Sequence, residues 1–354
     1  MYTLILPVAG SSSRFPGMRP KWLLTMPDGK LMIEKAVEKI DLNIFSSIVI
    51  VCLSEHLAKF TSAESVVSSF KATTGITPRL VVLDEPTLSQ SETIYRCLVD
   101  GNIEGPFFIK DCDNLFSLAP SAENCIASVN LNDMALVDAK NKSYIDLDGL
   151  GHVVNIVEKK VISDEFCCGG YGFESSVAFQ KAFEAIDTKS SEIYISHIIY
   201  HMLLAGIEFK QVRADHYVDW GTLREYRHYC RSHLTVFCDV DGVLLQNGSK
   251  FSDNGWQTEG IKSNLKKISQ LQSKGSLYLV LTSCRPQENE SYVESVLAQH
   301  DVRVDRFVFG LPHTRRLLVN DFSATNPYPS AIAFNLERDS ESLDKYFDHL
   351  ALDI

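Results

Sequence analysis

Tyr2-Thr-Leu-Ile-Leu-Pro-Val-Ala9 is an apolar run that leads directly into Gly10-Ser-Ser-Ser-Arg14, with Arg19-Pro-Lys21 shortly after it. The run predicts a buried strand, and the glycine and serines that follow predict a tight loop at its end. Short apolar runs and helix-length segments continue to alternate as far as residue 109, which is typical of βαβ units around a mainly parallel sheet. The sequence therefore predicts an α/β fold that begins with a strand and a small-residue loop.

The first loop has the composition of a phosphate-binding site. A glycine lets the backbone approach a phosphate closely, successive N–H groups and serine hydroxyls donate to it, and cations neutralise its charge. We therefore predict that the loop binds the triphosphate of a nucleotide. The predicted nucleotide-binding residues are Ala9, Gly10, Ser11, Ser12 and Ser13, and the predicted catalytic cations are Arg14 and Lys21.

Length and charge limit the partners that the chain can have. It has 354 residues, which is long enough for two domains, and its formal net charge is −11. This acidic balance argues against nucleic acid or an anionic membrane as a partner. The nine cysteines form no Cys-x-x-Cys pair, and no cationic leader precedes the first strand. We expect a cytoplasmic protein without membrane insertion, and its oligomeric state stays open, with a homo-oligomer as one outcome.

The βα alternation restarts late in the chain. A closing helix is predicted over Leu223–Arg231, and the apolar run Leu234–Val240 follows it. This restart predicts two α/β domains, residues 1–232 and residues 233–354. The later strands of the second domain are predicted at Leu277–Thr282, Arg306–Phe309, Leu317–Asn320 and Ala331–Asn335.

Residues 4–24, LILPVAGSSSRFPGMRPKWLL, resemble the signature of the sugar-phosphate nucleotidyltransferase (pyrophosphorylase) family. That signature is an apolar strand, Ala-Gly, a Gly/Ser-rich turn with arginine, and Pro-Lys several residues later. Here serines stand where many members have glycines. The resemblance implies a Rossmann-like (GT-A-like) mixed sheet and transfer of a nucleotidyl group from a nucleoside triphosphate to a phosphorylated acceptor. Arg14 and Lys21 would stabilise the leaving pyrophosphate and the transferred phosphoryl group.

Ser89-Gln-Ser-Glu-Thr-Ile94 opens a predicted helix after a strand and a loop. In the same family, the glutamine and neighbouring small residues contact the base or sugar, which implies this role for Gln90 and Ser91. Ser89 and Glu92 are also spaced as a helix capping box. Both interpretations can hold together.

Ile109-Lys-Asp111-Cys-Asp113 places two carboxylates two residues apart after a predicted buried strand, and Val218-Asp219-Trp-Gly-Thr222 carries another. On an extended segment this spacing points both side chains to one side, and hard divalent cations prefer such oxygens. An Asp-rich turn without metal is the other interpretation of the pair. The family resemblance implies that Asp111 and Asp219 hold Mg2+, with Asp113 as a structural partner of Asp111.

Val157-Glu158-Lys159-Lys160 and Gly169-Gly-Tyr-Gly-Phe173 resemble the family's strands that hold the acceptor. The resemblance implies that Glu158 contacts acceptor hydroxyls and that Lys159 contacts the acceptor phosphate. The second segment could also be a glycine-rich bend in a strand. The predicted acceptor-binding residues are Glu158, Lys159, Gly170 and Tyr171.

Residues 236–243, VFCDVDGV, resemble motif I of the haloacid dehalogenase-like (HAD) superfamily. The resemblance implies a Rossmannoid sheet and a phosphatase that forms a phosphoaspartate. Asp239 would be the nucleophile and a Mg2+ ligand. Asp241 would protonate the leaving oxygen and then activate water, and Gly242 would permit the turn between strand and loop.

The later HAD motifs have counterparts in the same order. Thr282 ends a predicted strand, where its hydroxyl could bond the phosphoryl group as motif II. Motif III falls on Arg315 or Arg316, where many relatives have lysine, and Arg315 is our candidate. Asp321 in motif IV would be a Mg2+ ligand. Little length remains for a large cap, so we expect a capless HAD-like domain.

Together these patterns predict a Mg2+-dependent bifunctional enzyme. One domain would release pyrophosphate, and the other would be a phosphatase of the same pathway, of the kind that makes surface polysaccharide precursors. One alternative is a nucleotide-sugar-dependent glycosyltransferase, which also uses Asp-x-Asp but binds a diphosphate without the loop at residues 10–21. Another is a nucleotidyltransferase with a non-catalytic HAD-like interaction module. The base (CTP, GTP, UTP, dTTP or ATP) and the acceptor stay open.

Overall fold

The structure is a computed structural model that describes residues 2–10, 12, 14–134, 139–186, 192–274, 277–321 and 331–349. The chain divides into two compact units, Met1–Tyr226 (unit 1) and Arg227–Ile354 (unit 2). No helix among these residues is both long enough and apolar enough to cross a membrane.

The strands of unit 1 form one large mixed sheet and one small antiparallel pair. They are β1 (Thr3–Pro7), β2 (Ser47–Leu53), β3 (Arg79–Leu83), β4 (Phe107–Lys110), β5 (Asn114–Ser117), β6 (Cys125–Asn130), β7 (Ser143–Leu147), β8 (Val153–Glu158), β9 (Glu165–Phe173), β10 (Lys210–Arg213) and β11 (Asp215–Asp219). In the described residues the large sheet has nine strands, with β10-β6-β9-β4-β1-β2-β3 as its main order; β7 pairs with β9, and β8 pairs with β7. The small sheet pairs β5 with β11.

Helices cover the sheet of unit 1. They are α1 (Met32–Ala36), α2 (Ser54–Phe60), α3 (Ala63–Thr74), α4 (Gln90–Asp100), α5 (Ser176–Ala185), α6 (Ile195–Leu204) and α7 (Leu223–Arg231), the last of which contains the division between the units. Short 3-10 turns lie at Lys21–Leu23, Leu42–Ile44, Leu131–Asp133 and Ala139–Asn141. Buried apolar residues fill two clusters, which indicates a core on each side of the sheet.

The first apolar run is the centre of this sheet. β1 pairs in parallel with β2 on one side and with β4 on the other, and its residues Leu4, Ile5 and Leu6 have no exposed surface. A strand that is covered on both faces reads as a continuous apolar run, as this one does. Because β1 and β4 are parallel neighbours, the loops that follow them meet at one edge of the sheet.

Unit 2 has a three-stranded parallel sheet in its described part, with β12 (Leu234–Asp239), β13 (Leu277–Thr282) and β14 (Arg306–Val308) side by side. Its helices are α8 (Lys262–Ser273), α9 (Glu290–Ala298) and α10 (Leu343–His349), and a short 3-10 turn lies at Gln287–Asn289. Apolar side chains from strands and helices form a core of its own.

The strands predicted at Leu317–Asn320 and Ala331–Asn335 are wrong, because both segments are irregular. Their apolar side chains do not enter the core of unit 2: Leu317 is 85% exposed and Val319 is 82% exposed. A strand needs a neighbour for its backbone hydrogen bonds as well as an apolar sequence. No described strand pairs with either segment.

Candidate active site

A cavity of about 570 Å³ opens in unit 1 where β1 and β4 end. Its volume is in the range of sites that bind a metabolite or cofactor. Most of the predicted site residues of this domain line it, namely Ala9, Gly10, Ser12, Arg14, Lys21, Gln90, Asp111, Glu158, Lys159, Tyr171 and Asp219. The predicted residues Ser11 and Ser13 lie outside the described residues.

The loop after β1 is held to the turn that carries Lys21. The hydroxyl of Ser12 accepts a hydrogen bond from the backbone N–H of Lys21, with 3.1 Å between the two atoms. Ser12 has a left-handed φ of 50°, which is uncommon for a residue with a side chain. A Cβ built on Gly10 meets no protein atom within 4 Å. Packing within the protein therefore leaves space there for a ligand.

Two of the three predicted carboxylates come together beside the cations. β5 and β11 pair so that Asp219 lies opposite Asn114, the residue after Asp113. A Cβ built on Gly221 would lie 3.0 Å from Asp219 Oδ1 and 3.4 Å from Asp113 Oδ2. Lys21 Nζ lies 2.5 Å from Asp113 Oδ2, and Arg14 Nη2 lies 3.9 Å from the same oxygen.

Asp111 faces another side of the cavity. Its Oδ1 accepts a hydrogen bond from Gln90 Nε2 at 2.5 Å, and its backbone N–H donates to the carbonyl of Gly169. A Cβ on Gly169, whose φ is +88°, would lie 2.5 Å from Asp111 Oδ2. Asp111 thus lies beside Gln90 and Gly169, whereas Asp113 lies beside Lys21 and close to Asp219, and the metal role of Asp111 stays a prediction.

The pKa values of Asp111 and Asp113 are shifted in opposite directions. Burial, and then the charge of Asp113, raises the pKa of Asp111 to about 6. Burial also acts to raise the pKa of Asp113, but the charge and hydrogen bond of Lys21, helped by Arg14, outweigh it and lower that pKa. The carboxylate that stays ionised most firmly is therefore the one beside Asp219.

Lys110, which the sequence analysis did not single out, holds the loop between the two aspartates. It has no exposed surface, and its Nζ donates to the Asp111 carbonyl (2.6 Å), the Asn114 carbonyl (2.9 Å) and Asn114 Oδ1 (2.6 Å). The ammonium also lies 4.3 Å from the ring centroid of Phe116. Burial lowers the pKa of Lys110. The sequence signal that could have identified Lys110 is a lysine at the end of an otherwise apolar strand.

Lys142 was also missed. It precedes β7 and lines the cavity, and its Nζ donates to Asp219 Oδ2 and, at 2.8 Å, to the hydroxyl of Tyr217. No motif marks it, because its partners are brought to it by strand pairing rather than by sequence spacing. Lys142 and Lys21 thus occupy one carboxylate each, Asp219 and Asp113.

Glu158 and Lys159, the predicted acceptor-binding residues, line the cavity, and each has hydrogen-bond partners that the sequence did not indicate. Glu158 Oε2 accepts hydrogen bonds from the hydroxyls of Ser143 and Ser196, the latter at 2.7 Å. Lys159 Nζ donates to the hydroxyl of Tyr194 at 2.5 Å, and that hydrogen bond raises the pKa of the lysine. Lys159 has a left-handed φ of 54°, which marks a second strained residue at the cavity wall.

Gly170 and Ser91 do not line the cavity, in contrast to their predicted binding roles. A Cβ on Gly170 would lie 2.8 Å from Ala127 Cβ and 2.8 Å from Phe116 Cζ, so packing within the sheet requires the glycine. Ser91 is fully buried in α4, and its hydroxyl has no hydrogen-bond partner within the described part of the chain. Tyr171, in contrast, is buried and lines the cavity.

The donors at this site fit a magnesium ion that is carried by a nucleotide. The described residues contain no group of three or more His, Cys, Asp and Glu side chains that could hold a metal by themselves. Mg2+ usually takes one or two carboxylates and completes its shell with water and substrate phosphates. Asp113 and Asp219 supply such a pair, and the lysines on them show that the site attracts cations.

In unit 2, Asp239 and Thr282 end neighbouring strands at the same level. β12 and β13 pair so that these two residues lie opposite each other. Arg316 Nη1 lies 3.0 Å from Asp239 Oδ1, whereas Arg315 is exposed. The arginine that contacts the predicted nucleophile is therefore the alternative candidate, Arg316. Asp321 is exposed on an irregular segment, and its metal role stays a prediction.

Asp241 is engaged by a cation that the sequence analysis missed. Arg285 has no exposed surface, and its Nε lies 3.0 and 3.1 Å from the two Asp241 oxygens, with Nη2 at 2.7 Å from Oδ1. Ser283 Oγ and the Gly248 N–H donate to the same carboxylate. Both oxygens thus act as acceptors in this arrangement, and the acid–base role of Asp241 stays a prediction.

Comparisons with known proteins extend the fold assignment. No family model and no curated protein matches the chain. Among solved structures, it is similar to the nucleoside-diphosphate-sugar pyrophosphorylase from Vibrio cholerae RC9, with 18% identity and a TM-score of 0.55 over 64% of this chain and 99% of that one. It is also similar to the inositol-1-phosphate CTP transferase from T. maritima, with 15% identity and a TM-score of 0.51 over 63% of this chain and 90% of that one. A third similar structure is UDP-glucose pyrophosphorylase complexed with UDP-glucose, with 18% identity and a TM-score of 0.50 over 66% of this chain and 98% of that one.

At such low identity these similarities show the fold alone. The predicted Rossmann-like mixed α/β fold is confirmed over about 64% of the chain. The HAD-like fold predicted for residues 233–354 stays a prediction.

Proposed function

We propose that unit 1 transfers a nucleotidyl group from a nucleoside triphosphate to a sugar phosphate or similar phosphorylated acceptor, with release of pyrophosphate. The observation that carries this proposal is the meeting of Lys21, Arg14, Asp113 and Asp219 in one cavity at the end of β1. The neighbours named above are pyrophosphorylases and a CTP transferase, which supports the same chemistry.

In the proposed reaction an acceptor phosphate oxygen attacks the α-phosphorus, and the bond from that phosphorus to the bridging oxygen of the β-phosphate breaks. Such a transfer depends on positioning and charge neutralisation. Lys21 and Arg14 neutralise the charge that develops on the departing pyrophosphate. Asp113 and Asp219 would hold Mg2+, which would supply charge neutralisation at the phosphates. Lys110 keeps Asp111, Asp113 and Asn114 in the orientation that these contacts need.

The acceptor end of the cavity fits a hydroxylated phosphate. Glu158 can accept a hydrogen bond from an acceptor hydroxyl, and the hydroxyls of Ser143 and Ser196 hold it in place. Lys159 supplies a cation for the acceptor phosphate. We propose that the product is an activated sugar or polyol of the kind used for surface polysaccharide precursors, made in the cytoplasm, where nucleoside triphosphates are available.

A matrix of nucleoside triphosphates against candidate sugar and polyol phosphates, read as pyrophosphate release, tests this function. We expect one pair to react and Lys21→Ala to slow it by on the order of 10²–10³-fold. Lys39→Ala, which removes an exposed lysine elsewhere in unit 1, is the matched control. Native turnover by Lys21→Ala would contradict the proposal. Release of a nucleoside diphosphate from a nucleotide sugar, without pyrophosphate, would favour the glycosyltransferase alternative.

We propose for unit 2 a phosphatase reaction through Asp239. The specific support is that Asp239, Thr282 and Arg316 meet at neighbouring strand ends. A carboxylate oxygen of Asp239 would attack the phosphorus, the ester P–O bond would break, and water would then hydrolyse the phosphoaspartate. Asp241 would have to leave Arg285 before it could donate a proton. Arg316 lies on Asp239 in the structure and would supply positive charge to the phosphoryl group.

Hydrolysis of p-nitrophenyl phosphate by the full chain tests the second activity. We expect turnover that is lost in Asp239→Asn and kept in Asp253→Asn, which changes an exposed aspartate of the same unit. No hydrolysis of this or any sugar phosphate would favour a non-catalytic interaction module.

A further inference from the structure

Lys142 lies between the two halves of the unit 1 cavity. On one side its ammonium donates to Asp219 Oδ2, the carboxylate that we propose for the metal. On the other side its neighbour Ser143 donates to Glu158, and its own carbonyl accepts from the N–H of Lys159 at 3.0 Å. The same residue therefore adjoins both the metal end and the acceptor end of the site.

The present position of the ammonium is well defined. Its Nζ donates to the hydroxyl of Tyr217 at 2.8 Å as well as to Asp219 Oδ2, so two hydrogen-bond partners fix it. The rings of Tyr217 and Phe166 lie 5.4 and 5.9 Å from the ammonium. The side chain is only 15% exposed.

This position conflicts with a bound metal. A carboxylate oxygen that binds Mg2+ lies about 2.0–2.1 Å from the ion. An ammonium on the same carboxylate would then lie close to a doubly charged cation, and the two would repel each other, since the Asp219 side chain is only 9% exposed and solvent screens the pair weakly. Asp219 can serve one of these cations at full strength, but not both.

We propose that Lys142 occupies Asp219 until Mg2+ arrives with the nucleotide, and that its displaced ammonium then binds the phosphate of the acceptor. The inference rests on the nucleotidyl transfer proposed above. It makes Lys142 a positioning residue for the attacking phosphate and gives the reaction an order, with the metal–nucleotide first and the acceptor second. It also predicts that the free site holds a metal weakly, because the metal must displace a cation.

Mn2+ binding to the full chain without nucleotide, followed by electron paramagnetic resonance, tests the exchange. We expect Lys142→Met to bind Mn2+ more tightly than the wild type, by on the order of tenfold, because the competing ion pair is gone. Lys142→Arg keeps the cation and should bind as the wild type does. Lys140→Met, two residues away and exposed, is the charge-matched control. Thermal unfolding of each variant checks that it is folded.

The sign of this change separates the proposal from a structural role. If Lys142 only orients Asp219, its loss weakens Mn2+ binding or leaves it unchanged, and either result overturns the exchange. Absence of Mn2+ binding by both the wild type and Lys142→Met overturns it as well.

Steady-state kinetics test the second half of the proposal. With the reactive substrate pair, we expect Lys142→Met to raise the acceptor KM by on the order of tenfold while the nucleotide KM changes by less than about twofold. An unchanged acceptor KM would refute contact with the acceptor phosphate. Tighter Mn2+ binding by Lys142→Met in a protein that transfers no nucleotide would refute the proposed function and leave the exchange in place.

Discussion

Lys110 and Arg285 are cations without exposed surface. Lys110 donates to acceptors that are close to it in the chain, and Arg285 donates to Asp241, which follows the neighbouring strand. Lys110 binds the loop that carries Asp111 and Asp113, and Arg285 binds Asp241. A buried charge is tolerated only when it is paired and hydrogen-bonded, so removal of either cation leaves uncompensated polar groups behind.

Replacing Lys110 tests its role in holding the loop that carries Asp111 and Asp113. We expect Lys110→Met to lower the free energy of unfolding by about 2–4 kcal/mol, because three buried acceptors lose their donor. Nucleotidyl transfer should fall further than stability explains, since the loop beside Asp113 is released. Chemical denaturation and pyrophosphate release measure the two effects, with the exposed Lys71→Met as control. Native activity in a folded Lys110→Met protein would show that the loop needs no such support.

Replacing Arg285 tests the pair in unit 2. Arg285→Met should destabilise that unit by about 3–5 kcal/mol, because the Asp241 carboxylate is left buried without its cation. The added change Asp241→Leu should recover part of the loss, which a double-mutant cycle detects. Arg303→Met, at an arginine that is 79% exposed, should cost less than about 1 kcal/mol. Equal costs at the two arginines would contradict the assignment.

At the scale of elements, short structural pieces fix the cations and carboxylates against each other. The 3-10 turn Lys21–Leu23 is anchored by Trp22, which is buried and donates from Nε1 to His56 Nδ1 on α2 at 3.3 Å. The β5–β11 pair performs the same task for Asp219. Lys21 thus depends on an anchor that is sensitive to protonation, because a protonated His56 can no longer accept at Nδ1.

This anchor predicts a pH dependence of unit 1. Burial lowers the pKa of His56 below its ordinary value of 6.5, so the unfolded chain binds this proton more readily than the folded one. Stability should therefore fall as the pH drops below about 6.5, and the contribution is fully present above that value. Denaturation between pH 5 and 8 should show a smaller slope for His56→Gln than for the wild type. Identical slopes would exclude His56 as the cause.

At the scale of the whole molecule, each unit has its own sheet and its own core. The two candidate sites share no residue, since Lys21 and Asp219 lie in unit 1 and Asp239 and Arg316 lie in unit 2. The chemistries that we propose for them should therefore be separable by single substitutions.

Separability gives a direct prediction. Lys21→Ala should abolish pyrophosphate release and leave phosphatase turnover within about twofold of the wild type, and Asp239→Asn should do the reverse, because sites that share no residue and no partner act independently. Both activities are measured on the same preparations. Loss of both activities in either variant, with unchanged unfolding, would mean that the two reactions are coupled.

The extent of sequence-based prediction follows from the range of the interactions involved. The strand Thr3–Pro7 and its loop were predictable, because an apolar run and the glycine and serines that follow it are local signals. The proximity of Asp113 to Asp219 was not, since it depends on the register of β5 with β11, about a hundred residues later. Arg285 and Lys142 stayed unrecognised for the same reason. At Leu317–Asn320 a local apolar signal predicted a strand for which no partner exists among the described strands.

Gly170 limits which positions near the proposed acceptor region could be varied. Any side chain there would collide with Ala127, Phe116 and Phe108, so this position of β9 is closed to variation. Glu192 and Tyr194, by contrast, lie beside the cavity with open or partly open surfaces. A library that varies these two positions and keeps Gly170 fixed should retain folded proteins while it samples new acceptors. Gly170 would then belong to the fixed sheet, and the two varied positions would set the acceptor that is bound.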